Sequence, residues 1–441
     1  MPSNTDLAIQ LFLQLAVILG TCHVVSLAGR WLGQTRVVSE MVAGVLLGPS
    51  LLGVLAPATQ SWLFPVTATL QAGGTSVTVP HPSMSILFAI SQVGLVLYMF
   101  LVGLEFNTRL ITGRMRSAGL VSAAGIVVPF ALGAALSLKL TGDGRFFSAQ
   151  VSPPWAALYM GASMSITAFP MLARIIFEKG IAGTRLGTLA LAAGATDDAV
   201  AWCLLAIVLS FLKGSSMVAM LAIGGGVLFT LAMIFVGRPL FARLEDNVHR
   251  RDGLKTGTFI LVLLILMVSA WVTDLIGIYS VFGAFIAGVC MPRGRFVTEM
   301  RAQVEHLTTG MLLPIFFVYS GLNTRLGLIS SWEMWGLTLL VLVLATAGKG
   351  LACMGAARAA GETWREAATL GTLMNARGLM ELIILNIGLQ AGIITPTLFT
   401  IMVMMAVVTT LMASPLFHVL YGRHLPAVEE ARRNEGITFS T

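Results

Sequence analysis

From Leu7 to Leu420 the chain passes through about thirteen stretches of some twenty mostly apolar residues, joined by short polar connections. Twenty apolar residues are what a helix needs to cross the ~30 Å hydrocarbon core of a bilayer. In lipid every backbone N–H and C=O must be paired, and a lone segment can do this only as a helix. The predicted spans are Leu7–Leu27, Val37–Leu55, Met84–Leu104, Ala118–Leu138, Trp155–Phe177, Leu186–Leu212, Met217–Val236, Thr258–Val272, Gly277–Met291, Thr308–Leu322, Trp335–Ala356, Ala368–Leu389 and Thr397–Leu420. The residues are 56% hydrophobic and only 11% charged, where a soluble domain carries about 25% charged residues. That excludes a water-soluble enzyme, a disordered chain and a nucleic-acid binder. The chain reads as an all-α polytopic membrane protein, not an enzyme, with no cofactor expected.

The positions of the 27 Lys and Arg residues set an orientation. Connections after odd-numbered spans, counted with Arg174 at the end of the fifth span, carry 21 of them, the opposite side only Lys139, Arg145, Lys213 and Arg325. Basic residues stay cytoplasmic, so the N-terminus is expected outside and the C-terminus in the cytoplasm, in a membrane such as the bacterial inner membrane. The net charge of +7 is therefore topological and not a nucleic-acid patch. Lys349 and Arg377 fall inside spans. The four cysteines lie in apolar runs without a CxxC spacing and read as small hydrophobic side chains. The Gly/Pro/Thr-rich stretch Ala56–Ser83 reads as a loop, Pro292–Leu307 as an interfacial amphipathic helix, and 426–441 as a short cytoplasmic tail.

Two short matches suggest an internal repeat. The third span ends Leu101-Val-Gly-Leu-Glu-Phe-Asn-Thr-Arg-Leu110 and the tenth Val318-Tyr-Ser-Gly-Leu-Asn-Thr-Arg-Leu326. Ala43-Gly-Val in the second span echoes Ala287-Gly-Val in the ninth. An offset of seven spans inverts the second copy, the pattern of secondary transporters that bind substrate near the midplane.

Ionisable residues inside spans are costly and demand a reason. Asp197 and Asp198 sit mid-span in Leu191-Ala-Ala-Gly-Ala-Thr-Asp-Asp-Ala-Val-Ala-Trp202. Neighbouring helix positions point about 100° apart, so one carboxylate can face a buried cation while the other faces a cavity. Lys349, about ten residues from Arg358, is too deep to reach the interface easily, and Asp197 or Asp198 is its expected partner. Arg377 and Glu381 are spaced i,i+4 and can pair along one helix face, either to stabilise the core or to handle ions. Ser163-Met-Ser-Ile-Thr-Ala-Phe-Pro170 combines hydroxyls, including Ser165 and Thr167, with Pro170, which removes a helical hydrogen bond. That predicts a kink or a broken helix offering carbonyls to a cation. Asn375–Gly378 is the expected symmetric break, again seven spans away. His23 reads as a packing histidine, Glu40 and Glu105 as charges near span ends, and Asp274 as a turn residue.

These residues resemble a known family. Val38-Ser-Glu-Met-Val-Ala-Gly-Val-Leu-Leu-Gly-Pro49, Ser165-Ile-Thr-Ala-Phe-Pro-Met-Leu-Ala-Arg174, Thr196-Asp-Asp198, Gly348-Lys349 and Asn375-Ala-Arg-Gly-Leu-Met-Glu-Leu382 resemble the monovalent cation:proton antiporter-2 family. That family includes bacterial Na+/H+ and K+/H+ exchangers and plant cation/H+ exchangers. The resemblance implies a membrane antiporter domain over 1–425, with two inverted six-helix repeats at about 7–212 and 258–420. The seventh span, about 217–236, would link them. Spans four to six and eleven to thirteen would form a core with crossing broken helices, and the rest a dimerising scaffold, making a homodimer. By the same resemblance Asp198 carries the cation (Na+ or K+) or the proton, and Asp197 pairs with Lys349. Some K+ efflux relatives carry a C-terminal nucleotide-binding regulatory domain, which is not expected here.

The function expected is exchange of a monovalent cation for protons by alternating access, with Na+ favoured over K+. Thr167 and main-chain carbonyls would join Asp198 as oxygen ligands of a hard cation, and Ser165, Pro170, Thr196, Asn375, Arg377 and Glu381 would support the breaks. Release of a second proton from Lys349 would make the exchange electrogenic. The alternatives are a sodium-coupled organic anion symporter on a similar fold, with Lys349 receiving the carboxylate, and a channel or transport-dead sensor.

Overall fold

The computed structural model describes residues 3–32, 34–72, 75–105, 115–142, 144–181, 184–212, 216–243, 254–292 and 294–422. The tail 426–441 and the Asn107–Leu110 end of the repeat motif lie outside the described residues. The principal helices are α1 (Asn4–Trp31), α2 (Arg36–Leu47), α3 (Pro82–Glu105), α4 (Met115–Leu140), α5 (Pro153–Ser165), α6 (Phe169–Glu178), α7 (Arg185–Leu212) and α8 (Ser216–Ala232). They are followed by α9 (Thr256–Ile276), α10 (Ser280–Val289), α11 (Arg295–Leu307), α12 (Leu313–Leu322), α13 (Trp332–Ala359), α14 (Trp364–Met374), α15 (Leu379–Gln390) and α16 (Pro396–Tyr421). Among the described residues nine helices are long and apolar enough to cross a membrane. Four further predicted spans are present in other forms. The fifth is the broken pair α5–α6, the sixth is α7, the ninth is the short α10, and the twelfth is the broken pair α14–α15.

Several local expectations are corrected. The stretch expected as a loop, Ala56–Ser83, holds a short helix, Pro57–Leu63, and an antiparallel hairpin of β1 (Thr67–Ala72) and β2 (Thr75–Pro80), in register Thr67 to Pro80. Its Thr and Val content favours a strand. The amphipathic segment is a helix, as expected, but it is continuous with the tenth span and not separate from it. α11 buries Phe296, Met300 and Val304 along one stripe and runs through a π-helical turn, Thr308–Leu312, into α12. Asp274 is the last turn of α9, not a turn residue, and the chain reverses at Gly277. There a φ of +94° lets the backbone N–H cap the carbonyls of Thr273 and Asp274. His23 is exposed and is not a packing histidine, while the four cysteines are free thiols, Cys22, Cys290 and Cys353 buried and Cys203 exposed.

The chain separates into two compact units. One comprises Met1–Ala28, Ser39–Asn107 and Leu205–Gly327, the other Gly29–Val38, Thr108–Leu204 and Leu328–Thr441. The second holds α4, α5, α6, most of α7 and α13 to α16, the set that the family resemblance assigns to the core. In the first unit α1, α2, α3 and α12 bury Ile18, Ala43, Leu87, Ile315 and Val318 together. In the second, Val121, Leu172, Leu189, Leu370 and Phe417 do the same.

Close helix crossings rest on glycine. At Gly321 of α12 an added methyl would overlap the backbone of Gly44 in α2, and at Gly103 of α3 it would overlap the backbone of Phe285 and Gly288 in α10. These are the glycines that the two repeat motifs align, Gly44 with Gly288 and Gly103 with Gly321. Gly133 of α4 against Gly161 of α5, and Gly371 of α14 against Gly350 of α13, form a second such pair of crossings. Small residues at crossings are how helices pack closely where lipid supplies no hydrophobic drive between them. Gly321→Ala is therefore expected to lower stability by about 1–3 kcal/mol, measured as loss of monodisperse protein on heating in detergent. Gly327→Ala, whose added methyl would meet no neighbour, is the matched control.

Candidate functional site

The second unit places two broken helices across each other. α5 ends at Ser165, residues 166–168 are non-helical, and α6 starts at Phe169. Pro170 is therefore not a kink inside a helix. It occupies the first turn of α6, where its missing N–H costs nothing. α14 is launched by a full capping box between Thr363 and Glu366 and ends at Met374. The chain is non-helical over Asn375–Gly378 and resumes as α15. Gly378 has φ +148°, which a side chain would strain. The two breaks touch through one backbone hydrogen bond, Ala168 N–H to Ala376 O at 3.2 Å. Thr410 of α16 braces the second break by accepting from the Arg377 N–H at 3.1 Å and donating to the Arg377 carbonyl at 2.6 Å.

Broken helices leave carbonyls without partners and a partial negative charge at the C-terminal end. Here cations answer both. Arg377, wholly buried, donates to Met164 O at 2.7 Å and Ser163 O at 3.4 Å, and lies 3.5 Å from Glu381. Lys349, also wholly buried, donates to Ser165 O and to Gly125 O of α4 at 3.0 Å. Its third donor meets Asp197 Oδ2 at 3.0 Å. Of the two partners left open on the residues alone, Asp197 is the one in contact.

Asp197 is fully engaged. Its Oδ2 accepts from Lys349 and from the Thr167 hydroxyl at 2.5 Å, and its Oδ1 accepts from Ser122 at 2.6 Å. Thr167, expected as a cation ligand beside Asp198, spends its proton on Asp197. Asp198 is the opposite case. It is 1% exposed, and neither carboxylate oxygen has a hydrogen-bond partner among the described residues. The two adjacent carboxylates have thus been given different work, as their 100° separation on α7 allows. Thr196 is exposed and its hydroxyl returns to Ala192 O at 2.9 Å. Asn375 is buried in the second break, and its Oδ1 and Glu381 Oε1 have no hydrogen-bond partner among the described residues.

Ser122 and Thr410 escaped the sequence reading. Each is a hydroxyl in an apolar span, and such hydroxyls are common and usually return to their own backbone. Only the fold shows that Ser122 faces Asp197. Ser122→Ala removes the donor to a buried carboxylate oxygen and is expected to cost about 1–3 kcal/mol. Thermal unfolding of the purified variant checks this, and Ser122→Thr should recover most of the loss.

Comparison with known proteins bears on the family and the fold. The sequence model of a family described as Sodium/hydrogen exchanger, transmembrane matches residues 15–420. The Na(+)/H(+) antiporter NhaS4 of Synechocystis sp. is 38% identical over 420 residues, covering 95% of this chain and 98% of that protein. Cation/H(+) antiporter 18 of Arabidopsis thaliana is 36% identical over 94% of this chain, which spans only 50% of the plant protein. The solved structure of the sodium proton antiporter MjNhaP1 from Methanocaldococcus jannaschii shares the fold, with a TM-score of 0.63 at 13% identity over 95% of this chain and 98% of that one. With a family match across nearly all its length and a relative aligned almost end to end, the chain belongs to the transmembrane sodium/hydrogen exchanger family.

Proposed function

We propose that the chain exchanges a monovalent cation for protons by alternating access, Na+ in preference to K+, with Asp198 as the group that binds each in turn. The observation that carries this is the bare Asp198 carboxylate. A buried ionised carboxylate without partners is costly, so it must hold either a proton or a cation, and exchanging one for the other is antiport. Support for Na+ comes from the paired aspartates and from the similarity to a relative named a Na(+)/H(+) antiporter. The organic anion reading loses its receptor, because all three Lys349 donors are occupied within the protein. The two breaks and the paired glycine crossings support inverted repeats about 7–212 and 258–420. On that reading the second unit is the core and the first the scaffold of a homodimer. The Lys and Arg asymmetry supports an outer N-terminus and a cytoplasmic C-terminus in the bacterial inner membrane.

The test is proton flux in everted vesicles or proteoliposomes on adding Na+, Li+ or K+. Na+ is expected to dissipate an acid gradient at lower concentration than K+, and no response to any of the three cations would overturn the antiporter reading. Two protons per cation require the Asp197–Lys349 contact to open when the cation binds, so that Lys349 releases a proton beside that of Asp198. Each cycle then moves one net charge, and the membrane potential contributes about 2.3 kcal/mol per 100 mV. Na+/H+ exchange under a K+/valinomycin clamp is expected to follow the imposed potential. Indifference would mean one proton per cation.

A further inference from the structure

Two ion pairs among the described residues have both side chains wholly buried, and they are built differently. Asp197 and Lys349 form a closed pair, in which both Asp197 oxygens and all three Lys349 donors are bonded within the protein. Arg377 and Glu381 form an open one. Their contact, Arg377 Nη1 to Glu381 Oε2, is 3.5 Å long, where charge-assisted hydrogen bonds run about 2.7–2.9 Å. Glu381 Oε1 and Arg377 Nε have no hydrogen-bond partner among the described residues. Arg377 does not depend on that contact for its place. Its 2.7 Å bond goes to Met164 O at the end of α5, another goes to Ser163 O, and Thr410 holds its backbone. Glu381 has this fixed cation beside it and sits in the first turn of α15, and both support a negative charge. Full burial and a bare oxygen work against one.

We propose that Glu381 is a positioning residue of the exchange site, which binds a proton of its own and through it sets the affinity of Asp198 for the cation. The proton goes to Oε1, because Oε2 faces a donor of Arg377. Binding it breaks no hydrogen bond of Oε1, and Arg377 stays on the α5 carbonyls. This proton is not one of those carried across. Its effect is electrostatic. With Glu381 ionised, the charges of Asp197, Lys349, Arg377 and Glu381 cancel, and Asp198 is neutralised by whichever ion it holds. A proton on Glu381 leaves one net positive charge at the crossing, in a medium that screens it poorly. Asp198 then holds any cation less tightly. Linkage makes the coupling reciprocal, so a cation on Asp198 weakens the proton on Glu381.

The ionisable groups that act on Glu381 are Arg377 on its own segment, Lys349 of α13 and the Tyr159 hydroxyl of α5, which donates to Ile384 O. α16 carries only His418 and Tyr421, two turns or more past Thr410. α6 carries only Arg174 and Glu178, a turn or more past its first residue. The route to Asp198 is short. Lys349 interacts with Glu381 and touches Asp197, the residue before Asp198. The effect on the cation rests on the function proposed above, whereas the proton on Glu381 does not.

The experiment separates the two. Full-length Asp198→Asn protein in nanodiscs, which lacks the other unpartnered carboxyl, is titrated from alkaline to acid pH by infrared difference spectroscopy. The carbonyl band of a buried neutral acid is expected to appear, and to be missing when Glu381→Gln is added. Identical spectra from the two proteins overturn the proposal, since Glu381 is then a permanently ionised partner of Arg377. Should the Glu381→Gln protein not fold, as judged by size exclusion, Glu381→Asp takes its place. Its shorter side chain draws the carboxyl away from Arg377, so the titration midpoint is expected to move, and an unmoved midpoint overturns the proposal. The effect on the cation is read with Asp198 intact. Glu381→Gln fixes the neutral form, so the Na+ concentration for half-maximal proton flux is expected to rise roughly tenfold at alkaline pH, the worth of one charge acting over about 10 Å at an effective dielectric constant of about 20. The two proteins should converge as the pH falls and wild-type Glu381 takes up its proton. A merely structural role lowers the maximal flux without that convergence. Equal Na+ requirements at alkaline pH overturn the link to the cation and keep the proton site. Absence of cation-driven flux in wild type overturns the exchange reading instead, and the infrared titration still decides whether Glu381 binds its proton.

Discussion

Asp198→Asn is expected to abolish cation-driven proton flux, by at least about 100-fold, while the protein stays folded and monodisperse. Both parts follow from the same geometry. Neither Asp198 oxygen accepts a hydrogen bond among the described residues, so the substitution breaks no contact within the protein. It also removes a charge from a place where a charge is expensive. Thermal stability should hold or rise. What is lost is the group that can carry a proton or present a negative charge to a cation, and an amide can do neither at neutral pH. A lost rate of about 100-fold corresponds to about 2.7 kcal/mol of barrier, a modest figure for deleting a charged ligand. The matched control is Asp197→Asn. That change strips Lys349 of its counter-ion and should lower stability, so the two neighbouring aspartates respond in opposite directions. Near wild-type flux in a well-expressed Asp198→Asn protein would sink the assignment.

How much of this was legible beforehand depends on the kind of signal. Apolar runs fix helices in lipid because no other local structure pairs the backbone, and the predicted spans from Leu7 to Leu420 are recovered as helices or broken helices. The interruption at Asn375–Gly378 was readable because glycine and asparagine tolerate the conformations a break requires. Pro170 pointed to the right neighbourhood but the wrong role. The break falls over 166–168, with Phe169 and Pro170 already in the first turn of the next helix, where a proline's missing N–H is harmless. The hairpin at Thr67–Pro80 was missed because glycine and proline dominate the impression of that stretch, while the alternating Thr and Val residues settle its conformation. In the site, intramembrane charge exposed Asp197, Asp198, Lys349, Arg377 and Glu381, since the cost of burial makes each conspicuous. The same signal could not say which aspartate Lys349 meets. That choice depends on where α4 and the first break lie around α7, and those are long-range contacts, Ser122 to Asp197 and Lys349 to Gly125, with no trace in local pattern.

The strongest stability effect is expected at Lys349. Lys349→Ala removes one of two cations at the C-terminal end of α5, leaves Gly125 O and Ser165 O without their donor, and leaves Asp197 buried with only hydroxyl partners. Removing one member of a buried ion pair typically costs about 3–5 kcal/mol, because the other charge stays behind in a medium that solvates it poorly. Much of that cost belongs to the orphaned carboxylate and disappears if the carboxylate goes too. The double variant Lys349→Ala with Asp197→Asn should therefore be more stable than Lys349→Ala alone. Coupling energies between residues in direct contact run from about 0.5 to 3 kcal/mol. The residual deficit of the double variant measures the rest, the two bare carbonyls and the uncompensated helix end. Thermal unfolding of wild type, both single variants and the double variant completes the cycle, and strictly additive losses would rule out a coupled pair. Transport by the same proteins adds a reading that stability cannot. With Asp198 intact, any exchange surviving in the double variant has only Asp198 left of the three groups Asp197, Asp198 and Lys349, so it is expected to lose its dependence on membrane potential. Potential-driven Na+/H+ exchange persisting in that variant would mean that the second proton travels by a group other than Lys349.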